Sequence, residues 1–440
     1  MDPKTLGELK ASGGEVFSRP VREEVRQNLV RRLREKAPLF AGIHGYEESV
    51  IPALVTAILA GHDIIFLGTR GQAKSRLSRM LKDLLDERVP ALPTPMRDDP
   101  FSPVSPEGKA LVAELGDEAP IVWLSREERY LEKLATPDVT VADLIGDLDP
   151  IKAAKRGLSL ADPGAIHYGL IPRANRGIFA LQELPDLSPR VQVALFDVLE
   201  EGDFQIKGFD LRIPLDVWLV FTANPEDYTA RGRIVTPLKD RIEAEIRTHY
   251  PRTLEEGLKI TRQEAKVPTE VAFDERLWRV VERVAFLARE DPRVEQSSGV
   301  SQRLPIALAE AAAASALRRS LVYQDPPQVR PLDLFQGLFA VTGKIEPSFE
   351  GEELGEEALA RDLLAKAFLA EFGAEGLGEA RAWFERGNEL YLPEGPKKAV
   401  MDALAAVPSL GEDPLLAEAR LFALVGKGFL ALEEGRFFKR

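Results

Sequence analysis

The 440-residue sequence contains no cysteine, which excludes disulfides, thiolate zinc sites, iron–sulfur clusters and cysteine nucleophiles together. Its four histidines, His44, His62, His167 and His249, stand at no metal-ligand spacing, so no metal is assigned to them. No uninterrupted apolar run approaches the roughly 18 residues of a membrane span, so no membrane partner is expected. The opening MDPKTLGELKASGG lacks the basic region and apolar stretch of an export signal, and the expected location is cytoplasmic. Positive charge is in deficit: 58 Lys and Arg against 71 Asp and Glu leave a net charge of -13. That balance disfavours nucleic acid as a partner, apart from a local basic groove. Scarce Asn and Met beside abundant Arg, Glu, Leu and Pro is a bias shared with heat-adapted proteins.

What is present is globular: 45% hydrophobic and 29% charged residues lie in the range of folded chains. The length is about three times that of a usual domain, which predicts two to four domains. Residues 20–36 open on Pro20 and carry Val21, Val25, Leu29 and Leu33 at four-residue spacing, an amphipathic docking helix. Its Arg22, Arg26, Arg31, Arg32 and Arg34 read as a solvated face, with an acidic partner as the alternative. An apolar helix over Val50–Ala60 is followed by Gly61, the run Ile64–Leu67, then Gly68 and Gly71 ahead of a helical pattern of Leu77, Met80, Leu81 and Leu84. A four-residue apolar run between turn signals predicts a strand covered on both faces, as in parallel sheets.

Pro90–Pro106 lacks periodicity and predicts a surface loop or insertion. Further strands are expected at Ile178–Leu181 and Val217–Phe221, with a helix over Pro189–Leu199 between them. Phe204, Ile206, Phe209, Leu211 and Ile213 alternate about Lys207-Gly208, which predicts a β-hairpin. Strands alternating with helices imply an α/β fold with a parallel sheet. From Pro251 the pattern turns helical over Leu277–Arg289, the Ala-rich Leu304–Leu321 and Leu332–Thr342. The region from Gly343 stays helical in pattern, with breaks at Gly373, Pro393, Pro408 and Pro414 and no solenoid repeat. Glu350–Glu357 reads as a solvated face or linker, and Trp123, Trp218, Trp278 and Trp383 as packing residues.

Chemistry concentrates first in Gly68-Thr69-Arg70-Gly71-Gln72-Ala73-Lys74-Ser75, with Arg76 following, set between a buried strand and a helix. This is a P-loop pattern. Backbone N–H groups converging at a helix start offer donors to a triphosphate, Lys74 adds a point charge, and Ser75 offers a Mg²⁺ ligand. Ala73 stands where glycine is usual, so the backbone there is expected to avoid the region that only glycine tolerates. A second signal, Asn175-Arg176-Gly177-Ile178-Phe179-Ala180-Leu181-Gln182-Glu183-Leu184, is an apolar strand ending in a polar pair. In a P-loop ATPase an acidic pair there holds Mg²⁺ and polarises water. Here Gln182, a neutral amide, takes the metal-side position and Glu183 the base position. Without the P-loop the same pair would be ordinary surface polarity.

With both motifs in place the chain resembles the AAA+ ATPases of the magnesium chelatase I subunit and MoxR-type group, from about Phe40 to about Thr342. Ala135–Asp149 looks like the segment preceding that group's insert in the second helix, Ala174–Gly177 like the lead-in to its Walker B strand, and Leu195–Gly202 with the hairpin like its pre-sensor 1 insertion. The resemblance implies a P-loop AAA+ core with a parallel sheet, followed by an α-helical lid and a further C-terminal helical region. The implied boundaries are an N-terminal extension over 1–38, the nucleotide-binding domain over 39–250 with an insertion at about 90–135 and a hairpin at about 203–214, a lid over 251–343 and a last domain over 344–440.

The resemblance also implies roles. Asn224 matches sensor 1, and Arg241, in Thr236-Pro-Leu-Lys-Asp240-Arg241, matches the arginine finger offered to a neighbouring subunit. A surface ion pair with Asp240 is the plainer reading of Arg241. Arg303, in Ser301-Gln-Arg303-Leu-Pro305, is the sensor 2 candidate. Arg231 and Arg233 could reach a neighbour's phosphates or a partner's acid groups, with a plain basic loop as the equal alternative. No GAFTGA-like loop is present, which disfavours an activator of sigma-54 polymerase. The function implied by the resemblance is that of a ring-forming, hexameric, Mg·ATP-dependent ATPase that remodels or assembles a partner protein, or inserts metal or cofactor into it, the partner being for example a von Willebrand A domain protein. The rival is a scaffold that binds ATP and hydrolyses it negligibly because of Gln182.

Overall fold

The computed structural model describes residues 2–159, 162–206, 211–225, 233–433 and 435–440. Two compact units divide the chain: residues 1–41, 46–68 and 73–249 form the first, and 42–45, 69–72 and 250–440 the second.

The first unit is built on five parallel strands: β1 (Ile64–Leu67), β2 (Tyr130–Leu134), β3 (Gly177–Gln182), β4 (Val217–Ala223) and β5 (Ala244–Arg247). Their order is β5-β1-β4-β3-β2. β1, β3 and β4 are buried along their whole length, which is why near-continuous apolar runs encode them. The edge strands β2 and β5 carry charged residues such as Glu132, Lys133, Glu245 and Arg247, and this hides them from an apolar-run criterion. The expected insertion over about 90–135 therefore ends earlier, because Tyr130–Leu134 belongs to the main sheet. Part of the expected 90–106 loop is ordered as well: Arg88–Ala91 pairs antiparallel with Val122–Ser125, and a helix starts at Pro106 on the side-chain cap of Ser105.

The helix expected over Pro189–Leu199 is two short pieces, Pro189–Val193 and Phe196–Glu200, with Ala194 and Leu195 between them. The hairpin pairs Asp203–Gln205 with Arg212–Pro214, and its Lys207-Gly208 turn lies outside the described residues.

Helices α1 (Val21–Arg34), α2 (Val50–Ala60), α3 (Lys74–Met80) and α4 (Thr236–Arg241) belong to this unit. α1 buries Val21, Val25 and Leu29, while Leu33, the fourth member of the expected stripe, is 42% exposed. Its docking is polar as well as apolar. Glu24 and Arg129 form a buried bidentate pair at 2.8 and 2.6 Å, and Asn28 donates to the Leu84 carbonyl and to Asp86. Arg22 reaches Asp63 at 2.8 Å, so this arginine is not part of a free face.

The second unit is mainly helical: α5 (Leu254–Glu264), α6 (Glu275–Glu290), α7 (Arg303–Tyr323), α8 (Glu356–Phe372) and α9 (Pro414–Gly426) are its longest elements. One core cluster runs through it from Val271 to Phe437. Glu371 on α8 accepts hydrogen bonds from both Arg279 (2.9 Å) and Arg283 (2.8 Å) on α6. The helical reading of the last hundred residues misses a small antiparallel sheet, in which Leu390–Tyr391 and Leu430–Glu433 flank Arg436–Lys439. These strands are two to four residues long, too short to establish a period of two in the sequence. Among the described residues, no helix is long and apolar enough to cross a membrane.

Candidate functional site

Parallel register brings three strand ends together. Leu67 lies opposite Ala223, and Leu181 opposite Phe221, so Gly68, Gln182 and Asn224 emerge along one edge of the sheet. The Gly68 N–H donates to the Ala223 carbonyl at 3.2 Å and fixes where the loop departs. Crevices at the carboxyl ends of parallel strands are the usual ligand sites of open α/β sheets.

The loop then makes two left-handed turns. Gly71 has φ +74°, and in the second unit a Cβ added to it would come within 2.1 Å of Ser301 Oγ, so backbone and space both require glycine. Ala73 has φ 57° and ψ 16°, a region that costs a residue with a side chain about 1–2 kcal/mol. The expectation that alanine keeps the backbone out of the glycine-favoured region is overturned: Ala73 adopts the left-handed conformation, at some strain. Lys74, buried, opens α3 and donates its Nζ to the Gly68 carbonyl, folding its charge back over the loop. Thr69 and Gln72 are joined at 2.7 Å, and the exposed Arg70 reaches Glu346 at 3.3 Å within the second unit. Arg76, on α3, is exposed.

The P-loop meets the polar pair directly. Ser75 Oγ donates to Gln182 Oε1 at 2.8 Å, and Thr222 Oγ1 donates to the same oxygen at 3.0 Å. The backbone N–H of Glu183 donates in turn to Thr222 Oγ1 at 3.0 Å. Glu183 has φ 55°, a left-handed turn that ends β3 and sets the carboxylate residue just beyond it. Gln182 is 7% exposed, and its Nε2 is buried with no hydrogen-bond partner. Asn224, also buried, follows β4 beside the start of the loop. Lys74, Ser75, Gln182, Glu183 and Asn224 are therefore brought to one place by the first unit alone. Thr222 was not anticipated. Its signal is present, since it is the sole polar side chain in Val217–Ala223.

Arg241 ends α4. It donates Nε to Glu200 at 2.7 Å and a terminal nitrogen to the Pro237 carbonyl at 2.9 Å, with its guanidinium 4.7 Å from the centre of the Phe196 ring. Its ion-pair partner is Glu200, not the adjacent Asp240, because a residue one step along a helix points to another side. In the second unit Arg303 opens α7 and is exposed, with its backbone N–H on Ser301 Oγ at 3.1 Å. Arg233 is exposed, and Arg231 lies outside the described residues.

The donor set suits a polyphosphate: within the first unit a buried ammonium, the left-handed turn at Ala73 and an unpaired amide donor gather at one spot. Its fit to magnesium is incomplete. The Ser75 hydroxyl keeps lone pairs for a cation, but the Gln182 carbonyl is taken up by two hydroxyls and its remaining arm is a donor. Among the described residues no group of three or more His, Asp or Glu is placed to hold a metal. Two carboxyls held above their ordinary value lie at the opposite, amino-terminal ends of the strands. Burial pushes Asp63, just before β1, and Asp216, just before β4, up to about 6.

Comparison with known proteins places relatives around this core. A family model for the sigma-54 interaction domain matches residues 161–245. The chloroplastic magnesium-chelatase subunit ChlI of Oryza sativa subsp. japonica is 28% identical over 269 residues, covering 60% of this chain and 57% of the relative. ChlI of Nostoc is 31% identical over 218 residues, covering 48% and 54%. The 38 kDa magnesium-chelatase subunit of Cereibacter sphaeroides is 29% identical over 242 residues, covering 54% and 66%. The chain thus spans a little over half the length of the first two. Among solved structures, a complex of magnesium-chelatase subunits BchI and BchD aligns with TM-score 0.37 and 20% identity over 71% of this chain and 98% of the other. A putative ATPase from Cytophaga hutchinsonii aligns with TM-score 0.34 and 17% identity over 81% and 98%.

Proposed function

Because this chain is related to the AAA+ ATPases that include the magnesium-chelatase I subunits, we propose that it binds ATP at the P-loop edge and assembles into a ring whose turnover remodels a partner protein. The observation that carries this reading is the direct hydrogen bond from Ser75 of the loop to Gln182 at the end of β3, which joins the two nucleotide motifs into one site. Lys74 and the loop N–H groups would hold the phosphates, and Arg303 is the sensor 2 candidate. Magnesium, when bound, neutralises phosphate charge, and Ser75 would be its protein ligand.

In the same reading Glu183 would orient or deprotonate the attacking water, with Asn224 beside it. The backbone N–H of Glu183 donates to Thr222, which supports this role by fixing the residue's main chain at the strand end. Arg241 would act on a neighbouring subunit's nucleotide. Its present partners, Glu200 and Phe196, hold it part-exposed at the end of α4, so an incoming phosphate competes with one carboxylate for it. An arginine supplied in trans is worth about 10³–10⁵ in rate, so turnover should depend on assembly. The partner could be a von Willebrand A domain protein, with metal insertion, cofactor maturation or complex assembly as the work done.

The experiment is ATPase activity across protein concentration with mass by light scattering. Specific activity should rise with the assembled fraction, and Arg241→Ala should keep nucleotide affinity while losing turnover. Full activity of dilute monomer would overturn catalysis across a subunit boundary. A second reading has its own support: the neutral amide of Gln182 replaces a carboxylate, which favours a nucleotide-driven scaffold with negligible hydrolysis. Assembly on ATP with no phosphate release would select it.

A further inference from the structure

The side chain of Gln182 has one arm in use and one arm free. Its Oε1 takes the protons of two hydroxyls, from Ser75 at 2.8 Å and Thr222 at 3.0 Å. Thr222 Oγ1 already accepts the Glu183 N–H, so its own proton is the one it gives to Gln182. A carbonyl oxygen has two lone pairs, and both are filled. The NH₂ end is what remains, buried and without a partner, in a side chain that is 7% exposed. An unmade hydrogen bond from a buried donor is a free-energy cost that an acceptor removes on arrival. That acceptor must suit the neighbourhood of Ser75 and Lys74. A cation is repelled by an N–H donor, whereas a phosphate oxygen accepts from it.

A carboxylate at this position would behave in the opposite way. It would add negative charge beside a triphosphate and need a divalent cation to offset it. The amide adds no charge and brings a proton instead.

We propose that Gln182 Nε2 donates directly to a terminal phosphate oxygen of the nucleotide, so that this chain binds ATP with little dependence on magnesium. This rests on the P-loop reading given above and gives Gln182 the task of contacting phosphate instead of the metal. Thr222 is then the positioning residue, since its hydroxyl pins the carbonyl and leaves the amide as the arm with no bond made.

The test is calorimetric titration of the full chain with ATP, once with magnesium and once with EDTA. Wild-type affinity in the two conditions should agree within about threefold. Gln182→Glu keeps the acceptor for both hydroxyls and exchanges only the donor arm for a charged oxygen. Its affinity should fall about tenfold or more in EDTA and recover with magnesium. Thr222→Val should weaken binding equally in both conditions, by about threefold to tenfold. A wild-type loss of about tenfold or more on chelation overturns the proposal, and this measurement does not depend on whether either variant folds. Equal affinity of Gln182→Glu in both conditions, with its melting transition intact, also overturns it. No binding heat from wild type in either condition would remove the nucleotide site itself, a separate failure.

Discussion

The buried pair Glu24–Arg129 ties α1 to the residue preceding β2, and its removal gives the sharpest stability test. The two side chains are 3% and 1% exposed and meet through two charge-assisted bonds. The remaining groups are also satisfied: Arg129 Nε donates to the Arg176 carbonyl at 2.8 Å, and Glu24 Oε1 accepts the Asp86 N–H at 2.6 Å. Glu24→Gln keeps the shape but leaves the Arg129 guanidinium buried without its counter-charge. Breaking such a pair from one side costs about 3–5 kcal/mol. The double variant Glu24→Leu with Arg129→Met removes both charges, so the desolvation penalty goes with the attraction, and most of that loss should be recovered. Urea denaturation gives the free energies, and hydrogen exchange of α1 locates the effect. Two units are present, so the transition to follow is that of the first. A loss below about 1 kcal/mol for Glu24→Gln would place the pair with solvent-exposed ones and refute the argument. A double variant worse than the single would refute the compensation.

Lys74→Ala should abolish measurable ATP binding in calorimetry, since the loop's only buried ammonium is removed; unchanged affinity would remove the phosphate assignment. The carboxyl of Asp216 is raised, chiefly by burial, from 3.8 to about 6. Its stabilising contribution is complete below about 3.8 and is lost as pH rises through about 6, with a ceiling of roughly 3 kcal/mol. Asp216→Asn should therefore flatten the decline of the first unit's melting temperature between pH 4 and 7, to which the similarly raised Asp63 also contributes. An unchanged slope would show that Asp216 does not titrate there. Glu371→Gln should destabilise the second unit by about 1.5–3 kcal/mol in thermal unfolding, because two arginines share that carboxylate. No shift would mean that water replaces it without loss.

The sequence was most legible where burial is complete. The strands Ile64–Leu67, Gly177–Gln182 and Val217–Ala223 are apolar because both faces are covered, and the motifs ride on their ends. The edge strands were illegible for the converse reason: one flank of Tyr130–Leu134 and of Ala244–Arg247 is unpaired, and charge there is tolerated. In α1 the spacing of Val21, Val25 and Leu29 was visible. No composition rule could tell the buried Glu24 from the half-buried Glu23, since the difference lies in Arg129, 105 positions away. Gln182 was read as a missing charge. Its unpaired amide became apparent only when two hydroxyls, Ser75 and Thr222, were placed on the same oxygen.

The rivet of Glu371 between Arg279 and Arg283 has a mechanical meaning for the second unit. With α6 and α8 clamped and one core filled from Val271 to Phe437, the three-stranded sheet and the helix that begins at Arg303 pack into the same core. Deforming that sheet would therefore have to disturb the same packed cluster that seats Leu304 and Leu308 of the Arg303 helix.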